Sequence, residues 1–248
     1  EKGNSLMRIS VAMATYNGEP YIKEQLQSIL SQLGDSDEVI VSDDGSTDAT
    51  CDIVNAIAQN DIRVKLVDGP RAGLIRNFEH ALSCCSGEYI FLSDQDDIWR
   101  EGKVETVLWD FVMGADLVLH DAQLIDDKKH LLTSSFFSWR GTRTGYYANI
   151  IKNSYIGCCM AFKRSLLRYA LPFPKEIPMH DQWIGLLAEK FGKVQLEEAV
   201  LLEYRRHEGT ATVDHHGSVP AMLHNRLAMM KAIRGRVRSV RKRGVKNG

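Results

Sequence analysis

Residues 89–99 read Tyr-Ile-Phe-Leu-Ser-Asp-Gln-Asp-Asp-Ile-Trp, an apolar run that stops abruptly at a group of carboxylates. The apolar residues are strand formers, so the pattern predicts a buried strand. Because burying an unpaired carboxylate is costly, Asp94, Asp96 and Asp97 must face water or meet a cation. A solvated acidic turn is the plainer interpretation of the run taken alone, and the flanking sequence decides between the two.

Strands and helices alternate before this stretch. Strands are predicted over 8–14, 38–42 and 64–67, and helices follow each of them, the last over 74–84. This alternation predicts an α/β fold with a mainly parallel central sheet flanked by helices. In such a sheet the C-terminal ends of the strands lie along one edge, where ligands bind. Polar loops that begin at Thr15 and Asp43 should therefore converge with Asp94, which favours a binding site.

The second half of the chain is less regular. Strands are predicted over 116–120, 157–162 and 200–204, and an apolar helix runs from Met179 through Phe191. Residues 134–149 are polar and aromatic and predict a loop-rich insertion.

Charge is distributed unevenly along the chain. There are 31 Lys and Arg residues against 32 Asp and Glu, but nine of the basic residues lie between His215 and Gly248, a segment without any acid. Apolar residues recur there every three or four positions and predict a basic amphipathic helix, in a tail that spans 213–248. This helix suits an anionic membrane surface or packing against the body, and it lacks the aromatic residues expected for nucleic acid.

Cysteine usage and hydropathy indicate the compartment. The five cysteines, an odd number with two adjacent pairs, do not form a disulfide framework or a zinc motif, which favours reduced thiols in the cytoplasm. No apolar run reaches the length of a membrane span. We therefore expect a cytoplasmic protein, or one peripheral on the inner face of the cell membrane.

Motifs that hold phosphates through a glycine-rich loop are missing from the sequence. It has no Gly-x-Gly-x-x-Gly after the first strand, no P-loop and no Gly-x-Ser-x-Gly elbow. An acidic strand edge without a phosphate loop suggests that phosphates are bound through Mg²⁺ or Mn²⁺.

The ordered motifs resemble family-2 glycosyltransferases of the GT-A fold. The resemblance rests on the first strand ending Ala-Thr-Tyr-Asn at residue 17, the Asp-Asp-Gly-Ser turn at 43–46, and Asp94-Gln95-Asp96, which matches the DxD motif. It covers about residues 8–207 and implies a glycosyltransferase domain over 7–212. Its nucleotide-binding half would span about 7–115 and its acceptor half about 116–212.

The resemblance implies a role for each matched residue on the donor side. Asp96 would bind the metal, with Asp94 at the ribose or in the metal's water shell, and His207 would complete the metal shell. Arg206 would meet phosphate charge, and Asp44 would accept a hydrogen bond from the pyrimidine. The other residues expected at the nucleotide-sugar are Thr15, Asn17, Glu19, Arg76, Asn77 and Gln95.

On the acceptor side, inverting transfer needs a base for the acceptor hydroxyl. Asp181 is the candidate, because it opens a helix after a proline-rich loop and matches the family's acidic motif. As a helix-capping residue it would have no such role. His180 and Trp183 flank it and are expected near the acceptor, although a buried tryptophan in the core is an equal alternative.

The finer resemblance is to bacterial rhamnosyltransferases of surface polysaccharides. It implies a dTDP- or UDP-linked sugar donor, L-rhamnose first, and a saccharide or lipid-linked acceptor. Two other functions stay open from the sequence. A nucleotidyltransferase would need a basic triphosphate loop after the first strand, which residues 15–19 do not provide. A non-catalytic sugar-nucleotide or membrane-binding module would tolerate loss of Asp181.

Overall fold

A computed structural model describes residues 8–207 and 219–246 of the chain. Nine strands form one sheet in the described part. They are β1 (Ile9–Thr15), β2 (Glu38–Asp43), β3 (Val64–Asp68), β4 (Tyr89–Ser93), β5 (Ile98–Trp99), β6 (Leu117–Ile125), β7 (Leu131–Thr133), β8 (Met160–Lys163) and β9 (Val194–Arg205).

Helices cover the two faces of the sheet, and a further helix forms the last element of the chain. They are α1 (Ile22–Leu30), α2 (Thr50–Ala58), α3 (Leu74–Cys84), α4 (Lys103–Val112), α5 (Phe136–Arg140), α6 (Tyr146–Ile151), α7 (Leu167–Ala170), α8 (His180–Phe191) and α9 (Val219–Lys246). Short 3-10 turns at Gly157–Cys159 and Arg164–Leu166 precede β8 and α7.

The first four long strands form the parallel sheet that the sequence predicts. Their order is β3-β2-β1-β4, with β1 parallel to both β2 and β4 and β2 parallel to β3. Every residue of β1, β2 and β4 is buried, because helices cover a parallel sheet on both faces. This topology brings the C-terminal ends of β1, β2 and β4 to one edge.

The second half of the sheet is mixed. β8 lies antiparallel between β4 and β6, β9 runs parallel to β6, and β5 pairs antiparallel with β9. The predicted parallel pairing is therefore complete in the first half of the chain, and the second half combines parallel with antiparallel strands. The antiparallel strands were not predictable from local pattern, because β8 returns through short helices and a 3-10 turn rather than through one long crossover helix.

Several predicted elements differ from the structure in the second half. Residues 134–149 were expected to be loop-rich, but α5 and most of α6 lie there. Gly157–Cys159 forms a 3-10 turn rather than the start of a strand, and β9 begins well before the predicted residue 200. Phe136 is buried, and Phe137 and Tyr146 pack against the core, which offsets the weak helical pattern of the sequence.

The helix α9 packs on the body through part of the apolar stripe that the spacing predicts, with Met230 and Val237 against the core. Met229 and Ile233 are buried, and Arg236 donates to the carbonyl of Leu171 at 2.9 Å. Leu223 and Leu227, expected on the apolar face that meets the body or a membrane, are exposed. The predicted boundary at 212 and 213 lies outside the described residues, as does the side chain of Val219.

None of the helices described for this chain combines the length and the apolar composition that crossing a bilayer requires.

Candidate active site

A cavity of about 520 Å³ opens at the sheet edge where β1, β2 and β4 end. One wall comes from these strand ends and the loop after β3, and the opposite wall comes from the 3-10 turn before β8 and the start of α8. Its lining residues are Ala14, Thr15, Tyr16, Asp44, Arg71, Gly73, Leu74, Asn77, Asp94, Gln95, Asp96, Ile156, Gly157, Met179, His180, Asp181 and Tyr204. The predicted convergence of strand ends is therefore present.

Asp96 is paired with His207 at one end of the cavity. Its Oδ2 lies 2.8 Å from His207 Nε2, and the His207 ring stacks on Tyr21 with centroids 4.9 Å apart. Arg205 holds the segment before His207 close to Asp96. Its Nε donates to Asp96 O at 2.8 Å, and its backbone N–H donates to Asp97 Oδ1 at 3.1 Å. Two of the three predicted metal ligands thus meet.

Asp94, the third predicted ligand, lies instead near Asp97 and Cys158. The carboxylate oxygens and the thiol sulfur that could bind a metal are within 4.8 Å of one another. Burial, followed by the charges of Asp96 and Asp181, raises the pKa of Asp94 to about 7. Burial also raises the pKa of Asp97 well above its usual range, and its Oδ2 has no hydrogen-bond partner among the described residues. The residues around Asp94 and Asp97 compensate the negative charge of these carboxylates only partly.

A buried lysine lies beneath this acidic group. Lys103 Nζ donates to Cys158 O at 3.1 Å and lies 4.1 Å from the Trp99 ring centroid. Burial lowers the pKa of Lys103 to about 8. Burial also raises the pKa of the Cys158 thiol well above its usual range. A protonated thiol is a poor metal ligand, so Asp96 with His207 is the better place for a cation.

The residues present fit a divalent cation. The carboxylate of Asp96, which lines the cavity, and the imidazole of His207 offer an oxygen and a nitrogen ligand, and the charge of Asp96 adds to burial in raising the pKa of Asp94 beside them. Mn²⁺ accepts such mixed ligands, and Mg²⁺ prefers the oxygen donors.

Gln95 holds the acidic loop against the end of β1. Its Oε1 accepts from Tyr16 N at 2.9 Å and its Nε2 donates to Tyr16 O at 3.1 Å. A Cβ at Gly18 would come within 2.4 Å of Gln95 Oε1, so this contact requires glycine there. The middle residue of the DxD motif is thus a brace that lines the cavity.

Asp44 and Arg71 lie on the wall formed by the strand ends and the loop after β3. The carboxylate of Asp44 accepts from the backbone N–H groups of Ala72 and Gly73, at 3.1 and 2.7 Å. Arg71 has φ 55° and packs over Gly45, where its Nε would lie 3.2 Å from an added Cβ. The sequence interpretation missed Arg71. A cation in the loop after β3, on the same sheet edge as the other strand ends, was the available signal.

Arg76 and Asn77, the predicted polar pair, lie differently from expectation. Arg76 does not line the cavity: its guanidinium donates to Phe173 O and Pro174 O, both at 3.0 Å, and to Glu79. Asn77 reaches the cavity wall, but its side-chain amide is used to join Thr15 O and Ser42 O across β1 and β2.

Asn17 and Glu19, expected in the nucleotide pocket, are not among the cavity-lining residues. Asn17 Oδ1 accepts from Thr47 N at 2.8 Å, and Glu19 Oε2 accepts from Ala49 N at 3.1 Å. Both side chains satisfy backbone donors at the loop that leads into α2. Thr15 does line the cavity, and its Oγ1 donates to Asp43 Oδ2 at 3.0 Å. Tyr16, whose side chain is exposed, also lines the cavity.

Asp181 lies in the first turn of α8 and lines the same cavity as Asp96, and its charge reaches Asp94. Burial raises the pKa of Asp181 to about 7, although backbone N–H groups of Gln182 and Gly157 donate to its carboxylate and oppose the shift. A carboxylate poised near neutrality has the properties of a general base.

His180 is buried beside Asp181 and lines the cavity. Its ring stacks on Phe78 with centroids 4.1 Å apart, and neither ring nitrogen has a partner among the described residues. Burial lowers the pKa of His180 to about 3, which keeps the ring neutral. The role of His180 near the acceptor stays a prediction.

Trp183 and Arg206 lie outside the cavity lining. Trp183, expected on the acceptor side, is fully buried in the core, and its Nε1–H donates to Ala170 O at 3.0 Å. It follows the first turn of α8 on the helix face that packs inward. Arg206 is half-buried, and its backbone N–H donates to Ile125 O at 2.9 Å.

Comparison with known proteins gives a family and a fold. The model of glycosyl transferase family 2 matches residues 10–170. The chain is 29% identical over 211 residues to the putative teichuronic acid biosynthesis glycosyltransferase TuaG of Bacillus subtilis (strain 168), over 79% of this chain and 78% of TuaG. For other curated relatives the chain spans between 11% and 65% of their length.

Two solved structures show the same fold. S. aureus TarS 1-349 in complex with UDP-GlcNAc has a TM-score of 0.71 at 20% identity, over 93% of this chain and 66% of that one. Mannosyltransferase PcManGT from Pyrobaculum calidifontis, in complex with GDP-Man and Mn²⁺, has a TM-score of 0.63 at 24% identity, over 82% and 58%. These likenesses confirm the predicted GT-A fold.

Proposed function

The chain belongs to glycosyl transferase family 2, and on this premise we propose that it transfers a sugar, with inversion, from a nucleoside diphosphate donor to a saccharide acceptor. One observation carries the proposal. The same cavity is lined by an acidic cluster, in which Asp96 pairs with His207, and by Asp181, a carboxylate of raised pKa in the first turn of α8. Leaving group and attacking hydroxyl need these two environments at once.

At the donor end, Asp96 and His207 would hold Mn²⁺ or Mg²⁺, with Asp94 nearby. The bound cation would neutralise the diphosphate as the sugar–phosphate bond breaks. PcManGT, which has the same fold, is in complex with GDP-Man and Mn²⁺. Gln95 would keep the acidic loop in place through its two hydrogen bonds to the backbone of Tyr16.

The nucleotide would lie against the ends of β1 and β2. Tyr16 offers an exposed ring on which a base could stack. Asp44 is fixed by two backbone donors and leaves oxygen lone pairs for a pyrimidine N–H. Arg71 places a guanidinium on the same wall, where phosphate charge needs a partner.

On the acceptor side, Asp181 would take the proton of the acceptor hydroxyl as that oxygen attacks the anomeric carbon. Its pKa of about 7 leaves a large fraction ionised near neutral pH and keeps it basic enough to accept a proton. The N–H groups of Gln182 and Gly157 fix the direction of its carboxylate.

For the donor we propose a dTDP- or UDP-linked sugar, with dTDP-L-rhamnose first, and for the acceptor a bacterial surface saccharide, free or lipid-linked. TuaG, a relative along most of its length, is named for teichuronic acid biosynthesis. TarS is in complex with UDP-GlcNAc. A lipid-linked acceptor would place the enzyme at the cytoplasmic face of the membrane.

The test is thermal unfolding of the protein with UDP, dTDP and GDP, each with and without Mn²⁺, followed by a transfer assay with the stabilising nucleotide's sugars. We expect a metal-dependent rise in Tm with a pyrimidine diphosphate. Absence of any nucleotide-dependent shift would overturn the proposal. A shift without sugar transfer by wild type on any saccharide acceptor would favour a binding module instead.

A further inference from the structure

Basic residues and exposed apolar side chains are concentrated in one region outside the cavity. No Asp or Glu occurs between Lys128 and Lys175 or between His215 and Gly248, and these two stretches carry eighteen of the 31 Lys and Arg residues. The remaining sequence has thirteen basic residues against 32 acids. The helices α6 and α9 belong to the two acid-free stretches, and they pack against each other.

The contact between α6 and α9 aligns two exposed apolar stripes. Arg226 Nη2 donates to Ile151 O at 2.6 Å, at the C-terminal end of α6. On α6, Tyr147 and Ile151 are 78% and 61% exposed, and on α9, Leu223 and Leu227 are 51% and 61% exposed. Each pair is four residues apart, so each helix presents one stripe to solvent. We call these four side chains the apolar strip.

Cations flank the apolar strip. Lys190 Nζ lies 3.6 Å from the Tyr146 ring centroid and 5.7 Å from that of Tyr147. Arg234 is close enough to Tyr146 for its charge to act on that phenol, and the side chains of Lys231 and Arg234 are exposed. The nearest acid on α8, Glu189, accepts hydrogen bonds from Gly145 N and Tyr155 Oη and is directed inward.

We infer that the α6–α9 face is a docking surface for an anionic lipid bilayer. Cations around exposed aliphatic and aromatic side chains match the two layers of a membrane interface, with charged headgroups above acyl chains. A soluble polyanion would be bound by the cations alone, and the exposed Ile151, Leu223 and Leu227 would contribute nothing to it.

The surface is joined to the candidate active site. Gln182 Nε2, in the first turn of α8, donates to Asn149 O of α6 at 2.9 Å. Asp181 precedes Gln182 in that turn. A bilayer under α6 would therefore lie beside the element that carries the proposed base, where a lipid-linked acceptor would arrive.

The test is co-sedimentation of the full chain, without nucleotide, with vesicles of phosphatidylcholine alone or of phosphatidylcholine with phosphatidylglycerol. We expect binding to the anionic vesicles only. The double variant Leu223→Ser/Leu227→Ser should weaken it about tenfold, and Lys231→Gln/Arg234→Gln should weaken it about fivefold for each cation removed. Because all four side chains are exposed, Tm should not change.

Matched controls carry the same changes elsewhere. Ile62→Ser, at a residue that is 89% exposed, and Lys23→Gln, exposed on α1, should bind like wild type. Equal binding to neutral vesicles, or no binding to anionic ones, would overturn the inference. Loss through the charge variant alone, with the leucine variant unaffected, would also overturn it and indicate a polyanion site. Vesicle binding is independent of sugar transfer, so each proposal can fail alone.

Discussion

Asp96 Oδ2 lies 2.8 Å from His207 Nε2, although 111 positions separate the two residues. One follows β4 and the other follows β9, and Arg205 ties the two segments together through hydrogen bonds to Asp96 O and Asp97 Oδ1. The Asp96–His207 pair is therefore assembled from both halves of the chain.

This pair predicts a shared metal dependence. Asp96→Asn and His207→Ala should each lower the Mn²⁺-dependent affinity for a nucleoside diphosphate by about tenfold or more, because each removes a ligand or its partner. Isothermal titration with and without Mn²⁺ measures the effect. In the absence of metal the variants should match wild type. A His207→Ala variant with unchanged Mn²⁺ dependence would show that His207 only anchors Asp96.

Asp181→Asn should abolish most of the turnover while nucleotide binding is kept. An amide cannot accept the acceptor proton, and loss of a general base costs about 10²–10⁴-fold in rate. Steady-state transfer and nucleotide affinity are measured side by side. Gln182→Ala, one residue along the same turn, is the matched control, and turnover that survives Asp181→Asn would exclude Asp181 as the base.

The raised pKa of Asp181 also predicts how stability depends on pH. The folded state keeps this carboxyl neutral up to about pH 7, whereas the unfolded chain ionises near its usual value, so its stabilising contribution is lost as pH rises through about 7. Asp181→Asn stays neutral and should be more stable than wild type at alkaline pH, by about 1–2 kcal/mol after allowance for partial exposure.

Urea unfolding at acidic and alkaline pH measures that difference. It should shrink toward pH 4, where both states of wild type become protonated. A gap that is constant with pH would mean that the variant acts through packing or hydrogen bonding rather than through ionisation.

Substitutions of Arg71 and Arg76 should separate an effect on nucleotide affinity from an effect on stability. Arg71→Gln should weaken nucleoside diphosphate binding by about tenfold or more with little change in Tm, because a charged hydrogen bond to phosphate is lost. Arg76→Gln should lower stability by about 1–3 kcal/mol, since Phe173 O and Pro174 O lose their donor. Titration calorimetry and thermal unfolding of both variants test this, and the opposite pattern would indicate that Arg76 rather than Arg71 contacts the nucleotide-sugar.

Trp183→Phe tests the core position found for this residue. The substitution removes the Nε1–H donor to Ala170 O and leaves that carbonyl without it, so stability should fall by about 1–3 kcal/mol. The KM for acceptor should stay unchanged. An acceptor KM that rises while Tm is unaltered would place Trp183 at the acceptor after all.

The local sequence predicted the parallel half of the sheet and its ligand-binding edge. Each of β1, β2 and β4 is a continuous apolar run followed by a polar loop, and strand periodicity and loop chemistry are properties of neighbouring residues. That was sufficient to identify Asp44, Asp94 and Asp96 as residues of one site. The amphipathic character of the tail was also visible from spacing alone.

The sequence by itself determined which strand ends carry acids, and so which edge of the sheet carries the candidate site. Only the tertiary structure decided which side chains line the cavity there. Asn17, Glu19 and Arg76 have suitable chemistry, but nearby backbone groups use them, while Arg71 and Tyr16 point into the cavity. The physical reason is that hydrogen-bond partners are chosen by three-dimensional proximity, which contacts such as Asp96 with His207 acquire only when distant strands pair.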